Sequence, residues 1–100
     1  MIIVLGSVVT QHGRHAEALA LSQAHVARSR LEPGCLSHAV HQDTENLQRL
    51  VFVEHWADKA ALLQHFQVPA SRAFVKALAA LAAEPPHMEL FDAQASQVLG

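Results

Sequence analysis

Leu50-Val51-Phe52-Val53-Glu54-His55-Trp56 is a run of β-branched and aromatic residues, which is typical of a β-strand. One face of this run carries Leu50, Phe52 and Trp56, while Val51 and Val53 lie on the other. A strand predicted over Met1 to Thr10 is also apolar on both faces. Strands of this kind are buried on both sides. Both runs are therefore predicted to lie at the centre of a sheet.

Helices and outer strands are predicted around these two runs. Helical spacing of Ala16, Leu19, Ala20, Val26 and Ala27 predicts a helix from Arg14 to about Arg30, which Glu32-Pro33-Gly34 ends. A weaker strand from Cys35 to Asp43 is predicted to form a hairpin with the central run. The remaining predictions are a helix over roughly Lys59 to Phe66 capped by Asp58, a helix from Pro69 to Pro85-Pro86, and a strand from Met88 to about Ala93.

The order β-α-β-β-α-β predicts an α+β fold of the ferredoxin-like, split β-α-β type, with a four-stranded antiparallel sheet. Residues 1–100 are interpreted as a single domain without an internal linker. Since the helices cover one face of the sheet only, the second apolar face predicts packing on another copy of the chain. We therefore expect a homodimer.

Composition excludes several function classes. Seven basic residues against nine acidic residues give a net charge of −2 without a basic run, so no nucleic-acid partner is expected. The single cysteine, Cys35, forms no intramolecular disulfide, and we interpret it as a small apolar residue. The N-terminal apolar stretch is too short to cross a bilayer and has no basic start. No membrane association is expected, and a cytoplasmic location is predicted.

Four short motifs resemble the antibiotic biosynthesis monooxygenase domain family. They are Glu32-Pro33-Gly34-Cys35-Leu36, the strand that ends in Glu54-His55-Trp56, then His65-Phe66 and Arg72-Ala73-Phe74. The resemblance runs nearly from end to end. It implies a dimeric ferredoxin-like protein whose two sheets close into an α/β barrel. Its best-known members oxidise hydroquinone-type substrates with O₂ and use no flavin, metal or haem.

Other activities in this family remain open. Some members degrade haem, some isomerise a small phosphorylated sugar, and some have no assigned activity, so the fold alone does not choose among them. Haem degraders of the family carry an asparagine on the first strand, where this chain has Gly6-Ser7. Haem degradation is therefore disfavoured. The favoured hypothesis is a cofactor-independent monooxygenase that acts on a small quinol or polyphenol.

This chemistry requires an apolar pocket with a few polar groups that accept a phenolic proton. The resemblance and the aromatic residues together place this pocket between the sheet and the helices, lined by Phe52, Trp56, Phe66 and Phe74; for each, ordinary core packing is the alternative. His65 and His38 are the candidate proton acceptors. Glu54 supports one of them, or pairs with Arg72, Arg49 or a nearby histidine. Ser7 offers a hydroxyl to a ligand.

The other histidines give weaker signals. His38 and His41 point to opposite faces of a strand, and His12 and His15 lie at a turn, so neither pair implies a metal site. His25 and His87 are predicted to be solvated. We expect no metal and no other cofactor. Two alternatives remain. One is a non-catalytic small-molecule-binding or stress-associated dimer. The other is an isomerase of a phosphorylated metabolite, for which Arg72 is the best candidate to contact the phosphate and Arg49 the next.

Overall fold

A computed structural model describes residues 1–97 of the chain. The elements are β1 (Ile2–Val9), α1 (His15–Ser29), β2 (Cys35–Gln42), β3 (Arg49–Trp56), α2 (Lys59–Gln67), α3 (Pro69–Leu81) and β4 (His87–Asp92). The four strands form one antiparallel sheet in the order β2-β3-β1-β4. This confirms the predicted ferredoxin-like α+β fold. Within residues 1–97, no helix has the length and apolar character needed to span a bilayer.

The two apolar runs lie at the centre of the sheet, as predicted. β1 pairs with β3 from Ile2↔Trp56 to Val9↔Arg49, and β2 forms the predicted hairpin with β3. The register of this hairpin shifts between Cys35 and Ser37, which marks a β-bulge at Leu36. Simple alternation along β2 would place Leu36 on the same inner face as His38, but the bulge turns Leu36 outward and leaves it 59% exposed.

Helix α1 buries a different face from the one that its apolar residues predict. Ala16, Ala20 and Ala27 are exposed. The buried residues are instead mostly small or polar, namely Ala18, Ser22, His25, Val26 and Ser29. The hydroxyl groups of Ser22 and Ser29 donate to the carbonyl groups four residues earlier, which satisfies these polar atoms inside the fold. Small side chains let α1 lie close to the sheet.

The outer face of the sheet is open in a single chain. Ile2, Val4 and Val8 of β1 are buried beneath the helices, whereas Leu5 on the other face is 39% exposed. Strand β4 is exposed along its whole length, including Phe91 at 44%. The predicted burial of both faces is therefore not reached within one chain.

The apolar core is divided into two clusters. One contains Phe52 and is formed mostly with α3, and the other contains Trp56 and Leu62. Phe52 and Trp56 lie on the same face of β3, with Glu54 between them. The carboxylate of Glu54 therefore lies between the two apolar clusters.

Candidate functional site

Four buried polar side chains meet between the two apolar clusters. They are His25 from α1, His38 from β2, Glu54 from β3 and His65 from α2, which we call the polar layer. Each comes from a different element, so the fold itself brings them together. One ring nitrogen of each of the three histidines lies within 4.8 Å of a ring nitrogen of the other two. Buried groups of this kind require partners, because each loses its hydration on folding.

Glu54 is held by two neighbours. Its Oε1 atom accepts a hydrogen bond of 2.9 Å from the indole Nε1 of Trp56 and lies 3.2 Å from Nε2 of His38. Burial acts to raise the pKa of Glu54, but contact with His38 and the Trp56 hydrogen bond outweigh it and hold that pKa below its usual value. Glu54 therefore stays ionised near neutral pH. Among the partners predicted for Glu54, the one that it contacts is a histidine, His38.

His65 is oriented by a residue of the turn that precedes β2. Its Nδ1 atom lies 2.9 Å from Oε1 of Glu32, so the carboxylate accepts the Nδ1 proton and leaves the Nε2 lone pair available. The other side of the ring lies against Trp56, with ring centroids 4.6 Å apart. These contacts fix both the tautomer and the orientation of the imidazole.

His25 is buried, so its predicted solvation is wrong. The residue is 4% exposed, and its ring stacks on Phe74 with centroids 4.0 Å apart and planes 7° apart. Burial lowers the pKa of His25 to about 3, and the positive charges of His38, His65 and Arg28 act in the same direction. Together they outweigh Glu54, which acts to raise this pKa. The imidazole of His25 is therefore neutral at physiological pH.

A cavity of about 570 Å³ adjoins the polar layer. Its wall is mainly apolar and includes Phe52, Phe66 and Phe74, while Glu54, His25 and His65 supply polar groups. A volume of this size suits a small organic ligand. The lining also includes Ser71, Leu78 and the segment from Pro86 to Met88.

Most of the residues predicted for the site line the cavity, but two of them do not. His38 and Trp56 are absent from its lining and are 1% and 0% exposed, so both lie behind it. They are placed to support Glu54 and His65 rather than to touch a ligand. Arg72 lines the cavity and forms no ion pair with any residue from 1 to 97. Ser7 also lines it, although strand register places this residue across from Val51 on the outer face.

Two residues at the polar layer, His25 and Glu32, are not predicted as site residues from the sequence. His25 belongs to a buried helix face whose small residues, Ala18, Ser22 and Ser29, carry little apolar signal. The four residues together are spaced by four, three and four positions, which is helical. Glu32 lies in the turn that ends α1, and its contact with His65 spans 33 positions of the chain. Only the tertiary fold brings Glu32 and His65 together.

The family model described as "Antibiotic biosynthesis monooxygenase" matches residues 1–77. The chain belongs to this family. All residues of the polar layer, together with Glu32, fall inside the part that matches the antibiotic biosynthesis monooxygenase model. The resemblance inferred from the sequence motifs is confirmed.

Individual proteins are similar to this antibiotic biosynthesis monooxygenase domain in sequence or in structure. An uncharacterized protein of Synechocystis sp. is 34% identical over 98 residues, which are 98% of this chain and 67% of that protein. A crystal structure of an antibiotic biosynthesis monooxygenase superposes with a TM-score of 0.88 at 26% identity, covering 95% of this chain and all of the other. A protein of Deinococcus radiodurans assigned to the same family has a TM-score of 0.92 at 24% identity and full coverage of both chains. The latter likeness concerns the fold alone.

Proposed function

We propose that this chain is a monooxygenase that oxidises a small quinol or polyphenol with O₂ and uses no cofactor. The main support is the cavity of about 570 Å³, whose aromatic walls adjoin the histidine that Glu32 orients. The family to which the chain belongs is named for monooxygenase chemistry. An apolar wall with few polar groups suits a flat aromatic substrate.

His65 is the proposed proton acceptor. Because its Nδ1 proton points to Glu32, its Nε2 lone pair can take the phenolic proton of a ligand in the cavity. The imidazolium that forms would be stabilised by the Glu32 carboxylate. Glu54 remains ionised and supports the layer through His38 and Trp56 rather than acting as the base.

The substrate itself supplies all of the electrons. A quinolate transfers one electron to O₂, and recombination of the resulting pair forms a carbon–oxygen bond at a ring carbon that carried hydrogen. Cleavage of the O–O bond leaves one oxygen atom in the product and releases the other as water, so a quinol and O₂ become a hydroxyquinone and H₂O. The apolar walls formed by Phe52, Phe66 and Phe74 reduce the contact of the intermediates with water.

The test is oxygen uptake by chelator-treated protein with a reduced menadiol-type substrate under ¹⁸O₂. We expect uptake above the autoxidation rate and one labelled oxygen atom per product molecule. His65→Gln should lower the rate by about 10²-fold to 10⁴-fold, whereas His12→Gln, at an exposed position in the turn before α1, should not change it. Oxygen uptake equal to autoxidation, or an unlabelled product, would contradict the proposal.

The two alternatives give different results in this experiment. A non-catalytic binding protein would show a saturable thermal shift with aromatic ligands but no labelled product. An isomerase of a phosphorylated metabolite requires several donors for the phosphate oxygens. Arg72 is the only lysine or arginine among the residues that line the cavity within the described chain, so this alternative has less support.

A second copy of the chain is the proposed partner. The outer face of the sheet exposes Leu5 and Phe91, and no helix within residues 1–97 covers them. Burial of this apolar surface would stabilise a homodimer. Sedimentation equilibrium should give twice the chain mass of 10.9 kDa at micromolar concentration; a stable monomer would contradict the proposal.

A further inference from the structure

We propose that His25, His38 and His65 form a binding site for one divalent transition-metal ion of the zinc class. The three side chains are buried, and each offers a nitrogen within 4.8 Å of the others. They project from α1, β2 and α2, so their positions are set by three packed elements rather than by a loop. Imidazole nitrogen is a good ligand for zinc, copper, iron and nickel.

Unpartnered nitrogen atoms are the first argument for an ion. Among residues 1–97, no group forms an aligned hydrogen bond with Nδ1 of His25 or with either ring nitrogen of His38. Nε2 of His38 lies 3.2 Å from Oε1 of Glu54 but does not form a well-aligned hydrogen bond with it. Polar atoms left without partners in a protein interior cost free energy, so a group that uses them would stabilise the fold. A metal ion can bind the lone pairs of Nδ1 of His25 and Nδ1 of His38, while Nε2 of His38 keeps its proton beside Glu54.

The surrounding carboxylates are the second argument. Glu32 contacts Nδ1 of His65 and Glu54 lies beside Nε2 of His38, so each of these histidines faces a carboxylate through one ring nitrogen. This leaves Nε2 of His65 and Nδ1 of His38 for the ion. Histidines that bind metals commonly donate their other nitrogen to a carboxylate, which orients the ring. Two carboxylates next to three neutral imidazoles also balance the charge of a divalent ion.

The cavity provides access to the site. His25 and His65 line it, while His38 lies behind them. Three histidine ligands leave one position of a tetrahedral ion for water or a small molecule. Tetrahedral zinc–nitrogen bonds of about 2.1 Å place ligand atoms about 3.4 Å apart. One nitrogen of each histidine already lies within 4.8 Å of the others.

The sequence predicts no metal site because the three ligands are far apart along the chain, at positions 25, 38 and 65. None of them forms a short metal-binding spacing with another. The inference does not depend on the proposed oxygenase activity, since binding of an ion is measured without any substrate.

The test is equilibrium dialysis of metal-stripped protein against Zn²⁺, together with Co²⁺ titration followed by visible absorption. We expect one tightly bound ion per chain and the absorption bands of four-coordinate Co²⁺. His25→Phe removes a ligand but can preserve the stacking on Phe74, and it should weaken Zn²⁺ binding by more than about a hundredfold. Glu54→Gln, which alters a supporting carboxylate, should weaken binding by about 10-fold to 100-fold.

The matched control replaces two exposed histidines, His12→Gln with His41→Gln, and should retain wild-type binding. Thermal unfolding establishes that each variant is folded. Should His25→Phe fail to fold, ¹⁵N NMR of wild-type imidazoles provides the same test, since Zn²⁺ should shift the resonances of the three buried histidines and spare the exposed ones. Shifts confined to exposed histidines, binding lost only in the control, or no tight binding at all would each overturn the proposal.

Discussion

Glu32 and His65 are 33 positions apart in the chain, yet the Glu32 carboxylate lies 2.9 Å from Nδ1 of the imidazole. The contact joins the turn between α1 and β2 to helix α2. It therefore couples one of the sequence motifs that resemble the family to the histidine of another. Its consequences can be measured without knowledge of the substrate.

The first prediction concerns the tautomer of His65. Because a carboxylate accepts its Nδ1 proton, ¹⁵N NMR should show neutral His65 protonated at Nδ1. Glu32→Leu removes the acceptor and should produce a mixture of the two tautomers. Glu32→Gln retains an acceptor oxygen and serves as the matched control. A wild-type His65 protonated mainly at Nε2 would contradict the assignment.

The second prediction concerns Gly34, where a side chain would meet two obstacles. Its φ is +81°, and a Cβ atom would lie 2.5 Å from Cβ of Ala61 on α2. Gly34→Ala should therefore lower the free energy of unfolding by about 2 to 5 kcal/mol in urea denaturation.

Gly13 provides the control for this experiment. It has the same φ of +81°, but a Cβ atom there would meet nothing within 4 Å. Gly13→Ala should therefore cost only the conformational contribution of about 1 to 2 kcal/mol. Equal losses in the two variants would show that the contact with Ala61 is unimportant.

The third prediction concerns pH and the β2–β3 turn. The Glu45 backbone N–H donates to Asp43 at 2.8 Å and Arg49 donates at 3.1 Å, and these bonds hold the pKa of the Asp43 carboxyl below its usual value. The stabilisation is present above the unfolded pKa of about 3.9 and is lost as pH falls through the lower folded value. The stability difference between wild type and Asp43→Asn should therefore shrink in acid.

An NMR titration of the Asp43 carboxyl measures the same effect directly. Its midpoint should lie below the ordinary aspartate value, and Arg49→Gln should raise it by removing one donor. A wild-type midpoint at or above the ordinary value would refute the prediction.

The fourth prediction connects the two proposals about the polar layer. An ion bound to Nε2 of His65 occupies the lone pair proposed to accept the phenolic proton. One equivalent of Zn²⁺ should therefore suppress quinol oxidation by chelator-treated protein, and excess chelator should restore it. Undiminished oxidation with Zn²⁺ demonstrably bound would show that this nitrogen is not the proton acceptor.

Much of the fold follows from residues whose effect is local. β-branched runs predict β1 and β3, Pro69 begins α3 as expected, and Asp58 caps α2 by accepting a hydrogen bond from the Ala61 N–H. The bulge at Leu36 is not predicted, because its residues carry no turn signal.

The site is predicted less completely than the fold. The aromatic residues of β3 and α3 are found because large apolar side chains near a central strand are readily recognised. His25 is missed because its helix face is made of small residues, and Glu32 because its partner is distant in the chain. Polar clusters assembled from four elements leave no periodic signal in any one of them.

Trp56 gives the polar layer an optical reporter that needs no label. It is the only tryptophan of the chain and is fully buried, with its indole N–H on Glu54 and its ring against His65. All intrinsic tryptophan emission therefore originates within a few ångströms of the groups proposed to bind an ion and accept a proton. Ligand entry, metal loading and loss of the Glu54 contact can thus be followed in real time as changes in the intensity or wavelength of one fluorophore.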